Sequence, residues 1–168
     1  DIQSYYFSKG WFNVGGKFKI KNKSQNKAEV EYLINTKKQF FIDSLSSSIS
    51  SPVLDSIYNN TYPYSHIKIN KPFNLNDFSN ERERLTALFR NSGVYHFNQD
   101  YIEFENDTTG RNNKMSTKLI IQDRIIKNNL KISQKPFNIY TISDVNVFIN
   151  KNSDSTKLIF EGYNFFTD

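Results

Sequence analysis

The chain has 168 residues, 37% hydrophobic and 15% aromatic, with a formal net charge of +5 and no Cys. That length suits one ordinary domain or two small ones, with a core resting on Phe and Tyr more than on aliphatic bulk. Without Cys there are no disulfides, thiolate metal sites or cysteine nucleophiles, and no run approaches the roughly 18 apolar residues that span a bilayer.

Asp1 leads directly into apolar periodicity, as expected of a piece cut from a longer chain. Ile2, Tyr5 and Tyr6 recur at helical spacing and Gly10 follows. That pattern predicts a short helix stopped by a left-handed glycine. Phe12, Val14, Phe18 and Ile20 then alternate with Asn13, Lys17, Lys19 and Lys21, the period of a half-buried strand. "NKSQN" (22–26) turns it back onto residues 28–34; with Phe18 facing Val30, Lys19 meets Glu29 and Lys17 meets Glu31. "SKGWFNV" (8–14) begins like a ribonucleoprotein strand, but that pattern needs a small residue at Phe12 and aromatics at Asn13 and Gly16. A P-loop fails in "GWFNVGGK", because Gly16 intrudes before Lys17 and Phe18 replaces the Ser or Thr.

A strand is expected at 40–45. Ser51 can cap a first helix and Pro52 suits its first turn, with Val53, Leu54, Ile57 and Tyr58 on the inner face. A connector (62–73) leads to a second helix, opened by Asn74 and Asp77 in the manner of a capping box. Leu75, Phe78, Leu85, Leu88 and Phe89 share one face of it up to Gly93, and Glu81 with Arg84 forms a pair on the exposed side. A strand over 94–104 then hairpins onto 116–121. Ile102 opposite Leu119 places Glu103 against Lys118 and Asp107 against Lys114. Facing opposite charges contribute roughly 0.2–1 kcal/mol each, so the lysines are mostly paired rather than offered to phosphates. Residues 124–135 read as a short polar link.

The chain repeats itself. "IQSYYFSKGWFNV" (2–14) aligns with "LTALFRNSGVYHF" (85–97), "EVEYLI" (29–34) with "STKLII" (116–121), and "KQFFIDSL" (38–45) with "KPFNIYTI" (135–142). The offset grows from 83 to 84 between Tyr95 and Ile102, which predicts a bulge near Gln99 and Asp100. The fold class is therefore α+β, built of tandem β-α-α-β-β units, each a three-stranded mixed sheet with two helices on one face and an open edge. Residues 1–37 form the C-terminal half of one unit, 38–127 a complete unit, and 128–168, where 137–142 opens a strand, the beginning of a third.

"LNDFSNERERLTALFRNSGVYHFNQDYIEFEND" (75–107) resembles the second helix and strand of a POTRA (polypeptide-transport-associated) domain. The similarity is greatest to the periplasmic arms of outer-membrane assembly proteins, the BamA and TamA group with its TamL-like relatives. It is carried by "ERERL" (81–85), "LFRNSG" (88–93), "YHF" (95–97) and "YIEF" (101–104), and "KPFNLNDF" (71–78) resembles the connector into that helix. "STKLIFEGYNFF" (155–166) resembles the extended stretch before a further unit's helices. Asn70-Lys71 replaces the usual connector glycine, and Val94 stands where Tyr is frequent.

The resemblance implies a non-enzymatic scaffold without a cofactor, in the periplasm and attached to the outer membrane through a barrel that is not in this chain. Its partners would be unfolded outer-membrane protein clients and accessory assembly subunits, bound by β-augmentation. The second strand of the unit would be the peptide-binding edge, formed by Val94, Tyr95, His96, Phe97, Tyr101, Ile102 and Phe104. The same apolar residues also read as core. The other readings are a basic nucleic-acid-binding α+β module and a passive spacer.

Nothing in the pattern suggests catalysis. His66 lies in the connector, and His96 has the outward parity of a strand. Glu103, Glu105 and Asp107 share one strand face, which reads as solvated and lysine-paired rather than as a calcium rim. Ser46 to Ser48 have no partnered His or Asp, and Asn-x-Ser/Thr triplets at Asn22, Asn59 and Asn106 are what chance gives among 22 Asn.

Overall fold

The two copies of the repeat stop their helices with the same device. In the computed structural model, which describes residues 1–23, 27–110, 112–128, 131–148, 156–160 and 163–167, Gly10 has φ +91° and Gly93 φ +87°. After α1 (Ile2–Ser8), the Gly10 amide donates to the Phe7 carbonyl and the Trp11 amide reaches back to Tyr6. The later helix ends likewise, with Gly93 bonded to Arg90 and Val94 to Phe89. This pair of bonds is the Schellman motif, and its usual apolar contact is present twice. The Tyr6 and Trp11 rings meet edge-on at 5.5 Å, and Phe89 and Val94 share one buried cluster.

Contacts divide the chain into two units, 1–138 and 139–168. The first runs through the hairpin β1 (Gly15–Lys23) and β2 (Lys27–Asn35), then β3 (Phe41–Ile49), α2 (Pro52–Thr61), α3 (Leu75–Asn91), β4 (Ile102–Asp107), β5 (Lys114–Ile121) and a small hairpin, β6 (Arg124–Asn128) with β7 (Lys131–Lys135). Residues 124–135, expected as a plain link, thus form paired strands. The second unit, taken by itself, has β8 (Asn146–Phe148), β9 (Thr156–Phe160) and β10 (Tyr163–Thr167), in the order β8-β10-β9. The strand expected at 137–142 is not there; those residues are non-regular. The turn at 24–26 and residues 155, 161 and 162 of the extended stretch lie outside the described residues.

The central sheet is mixed, as the chain order predicts: β5 lies in the middle, parallel to β3 and antiparallel to β4. On β5, Met115, Thr117, Leu119 and Ile121 alternate inward and are buried. Leu54 and Tyr58 of α2 and Leu85 and Phe89 of α3 cover Leu119 and Ile121. Met115 joins a second cluster with Ile42, Ile67, Phe73 and Phe78.

Both hairpins pair two residues away from the expected register. Phe18 faces Tyr32 and Ile102 faces Ile121. A slip of two keeps every side chain on its own face, so apolar alternation alone does not choose between the registers. In the observed registers β1 continues to Lys23, and Gly110, Asn112 and Asn113 take positive φ between β4 and β5. Charge pairing persists with other partners. Lys23 meets Glu29 at 2.8 Å, Lys21 meets Glu31 at 3.6 Å, and Lys114 meets Asp43 of β3 at 3.2 Å. The first hairpin is not half-buried: Phe18 is 64% and Tyr32 60% exposed. Phe12 lies before β1, in a turn, and packs on the rings of Phe40 and Phe73.

Glu81 departs most from the sequence expectation. It sits in the apolar stripe of α3 between Phe78 and Leu85, and only 2% of its surface is exposed. Its carboxylate accepts two bonds from Arg84, at 2.6 and 3.0 Å, and one from the backbone N–H of His66 at 2.9 Å. It therefore ties the connector to α3. Tyr58 is buried nearby, and burial, aided by the Glu81 carboxylate, pushes its phenol up to about 12. Ser51, at the start of α2, does not cap the helix with its side chain. Its Oγ donates to Asp123 at 2.5 Å and accepts the Phe137 N–H at 2.9 Å. Phe137 is buried against the rings of Phe97 and Tyr101.

Three outcomes follow for stability. A Cβ on Gly10 would lie 3.1 Å from the Phe73 carbonyl and 3.2 Å from that of Phe40, both backbone atoms. Gly10→Ala is expected to cost about 2–3 kcal/mol in urea unfolding, against about 0.5 kcal/mol or less for Gly15→Ala, which meets open space. Arg84→Ala leaves the Glu81 carboxylate buried without its cation and is expected to cost about 3 kcal/mol at neutral pH. Tyr58 ionises near 10 when unfolded and near 12 when folded, so the folded state holds the proton longer. Its contribution to stability is intact below pH 10 and is lost as pH rises towards 12, by up to about 2–3 kcal/mol; Tyr58→Phe is expected to flatten that part of an alkaline stability curve.

Candidate functional site

The position of β5 fixes which backbone groups of β4 are free. The Ser50 amide donates to the Ile121 carbonyl, so Ile121 directs its backbone towards β3. Ile102, opposite Ile121, is then in a pair with no mutual backbone bonds, and its own N–H and C=O point away from β5. The alternation continues along the strand. Glu103 and Glu105 bond inward to β5, whereas Phe104 and Asn106 turn their backbone groups outward. The Thr117 hydroxyl donates to the Asn106 side-chain oxygen at 2.7 Å, as the closer spacing of such a pair permits.

This outer rim is closed at its start. A 3-10 turn at Gln99–Tyr101 takes the Ile102 N–H onto the Gln99 carbonyl. Arg82 of α3 donates its Nε–H to the Ile102 carbonyl at 3.2 Å and holds its guanidinium 5.2 Å from the centre of the Phe104 ring. Phe104 and Asn106 are left with backbone groups that have no partner among the described residues. Under the rim, the Phe104 ring meets Phe78 edge-on at 5.1 Å. Beside its start, a hollow of about 480 Å³ is lined by Ser79, Arg82, Glu83, Gln99, Asp100 and Ile102. The opposite rim, on β3, is covered at its beginning: Ile42 donates to the Lys71 carbonyl and accepts the Asn70 N–H.

The structure separates the residues that the sequence grouped as one edge. Ile102 and Phe104 lie on β4. Tyr101 ends the 3-10 turn and packs on Phe97 and Phe137. Val94, Tyr95, His96 and Phe97 precede the strand altogether. Val94 completes the helix stop, the Phe97 amide bonds to the Val94 carbonyl, and Asn98 accepts the Asp100 N–H with its side chain. Local turns thus use up the bonds that a strand over 94–104 would need. Val94 and Phe97 are core residues, while Tyr95 is 71% exposed and stacks edge-on with His96. The surplus residue between the two copies is taken up by the 3-10 turn rather than by a bulge. Arg82 and Asn106 were not singled out from sequence; the alternation places Asn106 on one face with Ile102 and Phe104, whereas the reach of Arg82 leaves no mark in it. Among the described residues no three His, Asp or Glu gather as a metal site, and no helix is long and apolar enough to cross a membrane.

No protein-family model matches the sequence, and no curated protein does. Among solved structures, the chain is similar to the crystal structure of Haemophilus influenzae BamA POTRA3-5, with TM-score 0.50 and 15% identity over 91% of this chain and 54% of that one. It is also similar to BamA from Haemophilus ducreyi lacking POTRA domains 1-3, with TM-score 0.47 and 11% identity over 74% of this chain and 22% of that one. The chain thus spans about half the length of the first structure, and its fold is POTRA-like α+β.

The rim geometry predicts a sharp alternation in hydrogen exchange. The amides of Glu103 and Glu105 are expected to be protected, and those of Phe104 and Asn106 to exchange at least about tenfold faster.

Proposed function

We propose that this chain is a scaffold of an outer-membrane β-barrel assembly protein, in the manner of the BamA and TamA (TamL-like) arms, and that it binds extended polypeptide along β4. The observation that carries this reading is the pair of outward, unpartnered backbone positions at Phe104 and Asn106, on a strand fixed from behind by β5. An added strand satisfies those groups through main-chain bonds, which give affinity with little demand on sequence. Clients presenting many different strands need a receptor of that kind. The proposed role is non-enzymatic. In the intact protein the chain would lie in the periplasm, joined to a membrane-embedded barrel. The basic nucleic-acid reading is weakened by the hairpin lysines, since Lys21 and Lys23 are engaged by Glu31 and Glu29.

Titration of the isotope-labelled chain with a neutral strand-forming peptide tests the proposal. Amide shifts are expected at residues 102–107 and to persist in moderate salt. Asn106→Pro, which removes one outward N–H from the rim, is expected to abolish them while circular dichroism and melting temperature report an intact fold. Shifts outside β4, or undiminished binding to the proline variant, would refute strand addition here.

A further inference from the structure

We infer that the strand docking on β4 is a cationic amphipathic peptide, with basic side chains on its solvent side and apolar ones beneath. The inference rests on the strand-addition reading above and specifies the partner's chemistry. The solvent face of the central sheet carries charge in rows. β5 contributes Lys114 and Lys118, and the next row outward, on β4, contributes Glu103 and Glu105. Lys118 lies directly opposite Glu105 and only diagonally from Glu103, whose opposite residue is Ile120. No ion pair among the described residues reaches either glutamate. The next row belongs to the incoming strand, and its solvent-side residues fall beside these two carboxylates. Like charges directly opposed there destabilise the pairing and opposite charges support it.

The end of the rim adds to the bias. The hollow beside Ile102 holds Glu83 and Asp100 against the single cation Arg82, in a chain whose overall charge is +5. That guanidinium is already committed to the Ile102 carbonyl and lies over Phe104. Beneath the rim the environment is aromatic, with Phe104 on Phe78, so the inner side of the guest strand meets ring surface. With Phe104 and Asn106 as the open positions, the seat is short, and side-chain charge carries a large share of the discrimination.

Three synthetic peptides that share apolar residues at alternate positions and carry Lys, Thr or Glu between them test this on the full chain. The Lys peptide is expected to bind about fivefold tighter than the Thr peptide, and the Glu peptide about fivefold weaker, at low salt. The spread should close near about 0.5 M salt, where exposed charges are screened. In the double variant Glu103→Lys with Glu105→Lys, the order of the Lys and Glu peptides should invert. Equal affinities for all three peptides, with shifts still on residues 102–107, would overturn the charge selection and leave strand addition standing. No shift with any peptide would overturn both. Concentration-dependent shifts of those amides without peptide would assign the rim to a second copy of the chain and overturn the inference as well.

Discussion

β5 has a backbone neighbour on each side, and the character of the sheet follows from that. In a β-α-α-β-β unit the last strand to be made is the one in the middle, so the first and second strands, β3 and β4, are left as rims. Each residue of β5 spends its two backbone bonds on one neighbour or the other. That choice propagates to β4, where alternate residues have no option but to face outward. The free positions at Phe104 and Asn106 are therefore a consequence of topology and register. They do not depend on any property of their side chains.

The two rims are treated differently, and Glu81 is part of the reason. A buried carboxylate is costly unless paired and hydrogen-bonded, and this one is satisfied by Arg84 and by the His66 amide. The His66 bond positions the connector from which Asn70 and Lys71 reach Ile42 and cover the beginning of β3. At the other rim a charged side chain from the same helix, Arg82, closes the beginning of β4 by donating to the Ile102 carbonyl, and the rest is left open. Consecutive residues of α3, Glu81 and Arg82, thus shape both borders of the sheet.

Where one periodicity decided the outcome, the sequence was legible. The α3 stripe, the two glycine stops and the order of elements sufficed for the helices and the mixed sheet. Register was not legible, because a two-residue slip preserves both the apolar face and the charge pairing. Residues 94–101 misled because Tyr95 and Phe97 alternate like a strand, while Gly93 and Asn98 direct the backbone into turns. Glu81 misled in the reverse sense: the gap between Phe78 and Leu85 called for an inward residue, and its polarity argued outward. Its partner His66 lies 15 residues away and bonds through backbone, which no side-chain pattern reports. Arg82 likewise acts on a carbonyl 20 residues away.

The hydroxyl of Ser51 joins three stretches of chain: the start of α2, Asp123 just after β5, and Phe137. The rings of Phe97 and Tyr101 pack against Phe137 within the core cluster that also holds Leu54 of α2. The chain at residue 137 is therefore pinned where β3 and β5 both end, since Ser51 follows Ile49 and Asp123 follows Ile121 by two residues.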